Sequence, residues 1–356
     1  MQRFYSPSFL SQATTIHPTT DRGEPTVAHF GDETTEYQTL LEQAAWVDFS
    51  HMGKLALTGQ DRIDFLGGLT TNQMRHLAPD RTLYAALLTP QGRFLWDFTV
   101  HHHDGGEEQT VLLTEPDRLP ELLQQISFYK LRAKVQIRDA RAEFALLGLI
   151  GPQADRVVSQ LFPQLAVDAA PPGATFRPEP ELALWRDPRH GSFGWRLLIP
   201  AAQWLTMRGR LSALLPPAGW SAWEAYRLHH ALPRGGSELI PDETLPLEAG
   251  LLEMNGVDFG KGCYVGQETT ARTHHRGTLK KRLFQVRCVP GAAWEPGHII
   301  HKADGKEVGL ITSTAPVADV ALALLRTAEW ENREQEPLFV QGQAVTVCKP
   351  SWARWT

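Results

Sequence analysis

Apolar residues recur along this chain with two periods, and the stretches where each period holds predict its elements. Leu40, Leu41, Ala44 and Ala45 share a helical face within Glu36 to Val47. Leu55 to Thr58 reads as a strand, and Gly59 to Leu66 as a turn entering a short helix that Asp61 is placed to cap. Thr82 to Leu88 and Arg93 to His102 are strand-like runs joined by Thr89-Pro-Gln-Gly92, so a hairpin is expected. Gln109 to Thr114 is a strand, Pro116 to Ser127 a helix and Val135 to Arg138 a strand. Strand pairs with helices to one side imply α+β layers in place of a βαβ parallel sheet.

A second set of the same kind begins near Glu143. Phe144 to Ile150 is strand-like, and Gly151-Pro152 opens a helix to about Phe162. Proline-rich Pro163 to Pro180 is a surface connection. Leu182 to Trp185 and Gly194 to Ile199 read as strands, Ala202 to Leu215 and Ser221 to Leu232 as helices. The repeated order of strands, helix and strands suggests two related α+β halves. Past Arg282 the runs Phe284 to Val289, His298 to His301, Glu307 to Ser313, Ala318 to Leu325 and Gln343 to Val347 are separated by Gly and Pro, the pattern of a small β-barrel or sandwich. The expected division is a loosely ordered arm (1–30), a first α+β subdomain (31–140), a second (141–279) and a C-terminal barrel (280–356).

Composition places these layers in an ordinary globular protein: 356 residues, 42% hydrophobic and 21% charged, can bury sizeable cores in two or three domains. No apolar run approaches the roughly 20 residues that span a bilayer, so no membrane segment is expected. Residues 1–30 lack a hydrophobic h-region and carry only Arg3 and Arg22, which argues against a secretory signal and against a transit peptide. Three cysteines, Cys263, Cys288 and Cys348, make no disulfide framework and fit a reducing compartment. The cytoplasm is expected, with an organelle matrix the alternative if the arm is a transit peptide.

Candidate chemistry concentrates in Lys261-Gly-Cys-Tyr-Val-Gly-Gln-Glu268, followed by Arg272. Lys261 and Arg272 flank Cys263, and cations favour the thiolate, the form that acts as nucleophile or metal ligand. Gly262 and Gly266 suit a bent segment that a ligand approaches. The competing reading is a buried structural cysteine in a tight turn. Although the net charge is −5, seven Lys or Arg residues stand between Lys261 and Arg287 against the single acid Glu268. Such a patch attracts a polycarboxylate tail, a phosphate or an RNA backbone, or else is a solvated strand face. His101-His-His103 cannot all reach one ion from a strand and reads as solvent-side, so no permanent metal is predicted. Cys288 and Cys348 fall in barrel strands and read as structural.

The segment Lys261-Gly-Cys-Tyr-Val-Gly-Gln-Glu-Thr-Thr-Ala-Arg272, with His274-His-Arg-Gly277 and Lys280-Lys-Arg-Leu283, resembles the signature of the YgfZ-type folate-binding proteins. These are relatives of the glycine-cleavage T-protein, an aminomethyltransferase, and are implicated in iron–sulfur protein maturation and tRNA modification. Thr58-Gly-Gln-Asp61, Thr70-Thr-Asn72, Pro90-Gln-Gly92, Gly151-Pro152, Trp223 to Pro233 and Pro246-Leu-Glu-Ala249 extend the likeness over all but the first 30 residues. The resemblance implies a body of two α+β parts around a central tetrahydrofolate pocket, lined by the cysteine segment, plus a C-terminal antiparallel β-barrel. Flat pterin and anionic tail ask for aromatic walls, a carboxylate and cations. Trp96, Asp97, Arg227, Tyr264, Gln267 and Glu268 are the implied folate-site residues; Trp96 has a core alternative and Arg227 a structural ion pair as its alternative.

The departures weigh on the chemistry. Where T-proteins carry Arg-x-Glu-Ala-Gly this chain reads Arg227-Leu-His-His-Ala231, and their paired aspartates are reduced to Trp96-Asp97. What the resemblance implies is thus a folate-dependent accessory factor for synthesis or repair of iron–sulfur proteins, tRNA-modifying enzymes included. Cys263 would act in thiol redox chemistry or as a transient cluster ligand, with Lys261 and Arg272 holding it as thiolate. The alternatives are a tetrahydrofolate-dependent one-carbon transferase using Asp97, and a module binding RNA through the 261–287 patch. Expected partners are folate and iron–sulfur client or assembly proteins, with direct tRNA contact an open option.

Overall fold

The computed structural model describes residues 17–21, 24–105, 108–277, 279–287, 291–333 and 335–355. Strands β1 (His17–Asp21) and β2 (Glu24–His29) pair antiparallel, so the described part of the expected loose arm is a hairpin. Val27 is buried in a core, which holds β2 down. Helix α1 (Glu33–Glu42) follows Asp32, whose carboxylate accepts from Thr35 N–H at 2.6 Å. The helix expected to reach Val47 stops there, because β3 (Ala45–Asp48) pairs with Ile150–Leu147. Tertiary pairing overrides the helical spacing. It also carries residues 45–48 into the sheet built by the part of the chain beyond 140.

Strands β4 (Gly53–Thr58), β5 (Leu83–Leu88), β6 (Phe94–Asp104), β7 (Glu108–Thr114) and β8 (Gln136–Asp139) form one sheet in the order β5-β6-β7-β4-β8. Helices α2 (Arg62–Leu69) and α3 (Leu119–Tyr129) cover its outer face. Asp61 stands at the α2 N-cap, but its side chain accepts from Lys134 N–H at 2.8 Å instead of capping the helix. Strands β9 (Phe144–Ile150), β10 (Thr175–Phe176), β11 (Ala183–Arg186) and β12 (Trp195–Pro200) join β3 in a second sheet, order β10-β11-β12-β9-β3. Its outer face packs on α4 (Ala154–Leu161) and α5 (Trp204–Ser212).

The inner faces of both sheets share one core with α6 (Trp220–His229). Tyr84, Ala86 and Leu88 of β5 point into it, while Leu83, Ala85 and Leu87 point outward. Burial on both faces is why Leu83–Leu88 and Phe144–Ile150 read as unbroken apolar runs. Helix α7 (Gln267–Arg276) has only Thr270 buried, which hid it from apolar periodicity. Beyond it, β13 (Lys281–Arg287), β14 (Ile299–Lys302), β15 (Glu307–Ala315), β16 (Val320–Arg326), α8 (Thr327–Glu331), β17 (Leu338–Val340) and β18 (Gln343–Cys348) complete the chain. These strands close an antiparallel barrel in the order β13-β16-β15-β14-β17-β18. Cys288 lies outside the described residues; Cys348 is in β18, half-buried and free.

Candidate functional site

The turn that carries Cys263 is held from several directions. Thr71 Oγ1 donates to Gly256 O at 2.6 Å and accepts from Ala86 N–H at 2.8 Å. Asn72 Nδ2 donates to Tyr84 O at 2.7 Å and Asn255 O at 2.8 Å, so Thr71-Asn72 ties loop 255–258 to edge strand β5. Lys261 then sends its ammonium back to the C-terminal end of α2, donating to Gly67 O and Thr70 O at 2.6 Å each. Those carbonyls carry the negative end of the helix dipole, which suits a cation. Burial pulls the Lys261 pKa down to about 8, against the opposing pull of Asp258 and Cys263.

Gly266 (φ +85°) has Thr89 O where a Cβ would lie, 2.5 Å away, and Gly92 (φ +77°) would place its own Cβ 2.8 Å from Thr269. These two glycines let the turn seat against the β5–β6 hairpin. Gly262 has open space and no such requirement. Cys263 itself is exposed and free, which removes the buried structural reading.

The expected neighbours of the thiol have other tasks. Arg272 pairs with Glu268 across one turn of α7, and both are exposed. Gln267 Oε1 accepts from Tyr264 N–H at 3.2 Å and closes the turn. The Tyr264 ring is buried beneath the Lys261 ammonium, 4.3 Å from its centroid. Lys261 remains electrostatically coupled to Cys263, but its hydrogen bonds go to backbone.

Between the sheets lies a separate cavity of about 80 Å³, and no residue from 261 to 272 lines it. The expectation that the cysteine segment lines the central pocket is therefore corrected: Lys261 anchors that segment to the far side of the first sheet, on α2. The cavity wall includes Phe49, Tyr84, Trp185, Trp220 and Trp223, with Asp97, Glu115 and Asp187 as acids. Tyr84 OH donates to Asp97 Oδ2 at 2.8 Å, and burial together with that carboxylate pushes the phenol pKa well up. Asp187 contacts Arg189 at 2.7 Å and Arg196 at 3.2 Å. Burial raises the Asp187 pKa, but the two guanidiniums outweigh it and hold the carboxyl below its usual value. Arg196 lies over Phe49 at 4.5 Å and Trp223 at 5.2 Å, and burial lowers its pKa to about 10.

Of the residues named from sequence, Asp97 and Arg227 line this cavity and Trp96 does not. A register shift in the β5–β6 ladder sets Leu87 opposite Trp96 and Leu88 opposite Phe94. This bulge turns Trp96 outward into the α2–α3 core, beneath Arg118 at 4.4 Å, and Asp97 inward. Arg227 is committed to two ion pairs: Nε meets Glu224 Oε1 at 2.8 Å and Nη1 meets Glu238 Oε2 at 3.1 Å. His229 bonds the Tyr37 hydroxyl at 3.1 Å and does not line the cavity. His101, His102 and His103 are all buried, not solvent-side: His101 and His103 face the seam between the sheets, and His102, on the other face of β6, lies beside Glu108 at 3.6 Å. In the seam His101 stacks on Trp185 at 4.7 Å and His103 meets Phe144.

Sequence reasoning missed Trp185, Asp187, Arg189, Arg196 and Trp220. The one usable signal was Trp220 and Trp223, three apart on a helix with a third aromatic, Tyr226.

The GCVT N-terminal domain model matches residues 27–258, and the CAF17 C-terminal beta-barrel domain model matches residues 280–355. The iron-sulfur cluster assembly factor IBA57, mitochondrial, of Homo sapiens is 33% identical over 333 residues, covering 87% of this chain and 86% of that protein. Its Mus musculus counterpart is 33% identical over 334 residues, 86% of each chain. The glycine cleavage system aminomethyltransferase T from Bartonella henselae superposes with a TM-score of 0.80 over 98% of this chain and 97% of that one, at 19% identity, a likeness of fold. The chain belongs to the GCVT-domain family, with a CAF17-type C-terminal β-barrel.

Proposed function

We propose that this protein is a YgfZ-type accessory factor for the assembly or repair of iron–sulfur proteins, tRNA-modifying enzymes among them, with Cys263 as its working thiol. The observation that carries the reading is a free, exposed cysteine on a turn pinned by the Thr71, Asn72 and Lys261 hydrogen bonds. A thiol so placed is open to a partner yet fixed in position, which suits thiol exchange or transient ligation of a cluster in transit. The IBA57 relatives, named as iron–sulfur cluster assembly factors, support the same reading. Their mitochondrial location supports an organelle matrix over the cytoplasm; both are reducing spaces in which a free thiol persists.

Tetrahydrofolate is the ligand proposed for the cavity. Aromatic walls and the Asp97 and Glu115 carboxylates suit a hydrogen-bonding flat ring, and Arg189, Arg196 and Arg234 suit an anion. The free volume of about 80 Å³ holds only a few waters, so a pterin needs the lining side chains to move apart. Cys263→Ser in a deletion strain tests the main proposal: cluster-enzyme activity should stay lost although the variant folds. Full rescue by that variant would sink it. Calorimetric titration of tetrahydrofolate into the parent and Asp97→Ala tests the cavity separately.

A further inference from the structure

The basic run at 276–282 does not reach the cavity, and the fold gives it company that the sequence kept far away. Lys280, Lys281 and Arg282 line one side of a groove of about 860 Å³, and Arg326 and Arg354 come to it from β16 and the chain end. Among the described residues Glu331 is the one acid in its lining. Among the described residues no salt bridge neutralises Lys280, Lys281, Arg326 or Arg354, all exposed. Lys281 and Arg326 stand directly opposite in the β13–β16 ladder. Like charges in that position cost stability, so the barrel retains a repulsion that an anion would relieve.

We propose that this groove seats an acidic peptide segment of a protein partner. Its floor is fixed: Thr327 donates to Lys280 O through its N–H at 3.0 Å and to Leu279 O through its hydroxyl at 2.9 Å. Arg326 and Arg354 supply guanidinium forks that match carboxylates, and the lysines add point charges. Single-stranded nucleic acid asks in addition for open aromatic faces. Among the described residues the only aromatic in the lining, Trp355, carries the Arg282 guanidinium on its ring at 4.0 Å, so no open face is offered to a base. Helix α7 runs from the Cys263 turn toward the groove, about 15 Å for its length, so a partner anchored here reaches the thiol. That last relation rests on the thiol reading; occupancy of the groove does not.

The test is fluorescence anisotropy of a labelled oligoglutamate peptide with the full chain, beside an oligouridylate of equal charge. Saturable peptide binding that weakens with salt is expected, with about tenfold lost in Arg326→Glu. Lys281→Glu should lose affinity similarly, since it too reverses a charge in the groove lining. Cys263→Ser should leave peptide affinity unchanged. Absence of peptide binding, indifference to both reversals, or tighter binding of oligouridylate through the same residues would each overturn the proposal.

Discussion

Arg227→Met asks whether the most committed cation of the cavity wall serves the fold or a ligand. Arg227 is 2% exposed, and the Glu238 side chain is fully buried. Burial disfavours the guanidinium, but Glu224 and Glu238 outweigh it and raise its pKa. Removing the arginine strands the buried Glu238 charge, which also accepts from Arg234 N–H at 2.9 Å, and frees Leu232 O, now bonded at 3.0 Å. Breaking a buried pair in this way costs about 3–5 kcal/mol, a large share of a typical 5–15 kcal/mol. Glu238→Gln keeps shape and leaves Glu224 to balance the arginine, so about 1–3 kcal/mol is expected. The double variant should lose less than the sum, by roughly 1 kcal/mol or more, since no orphan charge remains. Urea unfolding at constant m reads all three. Parent-like stability in Arg227→Met, with tetrahydrofolate binding abolished, would refute the structural assignment and restore the ligand role that the resemblance implied.

Other consequences can be checked on the same protein. Burial lowers the His103 pKa from 6.5 to about 4, so the unfolded chain takes up the proton first. Stability should therefore fall from pH 6.5 to 4, by up to roughly 3 kcal/mol from this residue, and His103→Gln should flatten that limb in melts against pH. Lys261, lowered by burial from 10.5 to about 8, makes the unfolded chain the better proton binder between those values. Its contribution to stability should rise with pH across that window, a rise that Lys261→Met removes from the denaturation profile. Gly92→Ala combines φ +77° with a Cβ 2.8 Å from Thr269 and should cost about 1–3 kcal/mol. Because the strain falls under the Cys263 turn, the alkylation rate of Cys263 should shift too; an unchanged rate would separate the hairpin from the thiol.

Much of the layering was readable from local patterns. Phe144–Ile150, the 89–92 turn and the shortening of runs past 280 follow from apolar period, turn chemistry and spacing, which act over a few residues. The bend at the cysteine segment was legible for the same reason, since Gly266 states a local geometry, whereas the exposure of Cys263 was not. Residues 45–48 misled because their helical spacing was overruled by a strand a hundred residues away. Helix α7 was silent because a helix with one buried side chain writes no stripe.

By itself the sequence determined which segments are apolar, where the chain must turn, and that one thiol sits among cations. Tertiary structure alone decided the facing of the site. The bulge opposite Leu87–Leu88 sent Trp96 to the helices and Asp97 to the cavity, an outcome that one residue of register reverses. Long-range pairing bound Arg227 to Glu238, drew Lys261 away to α2, and brought Arg326 and Arg354 beside Lys280 and Lys281. Charge along a chain states which ions are present; only packing in three dimensions determines which opposite charges meet and which are left facing solvent.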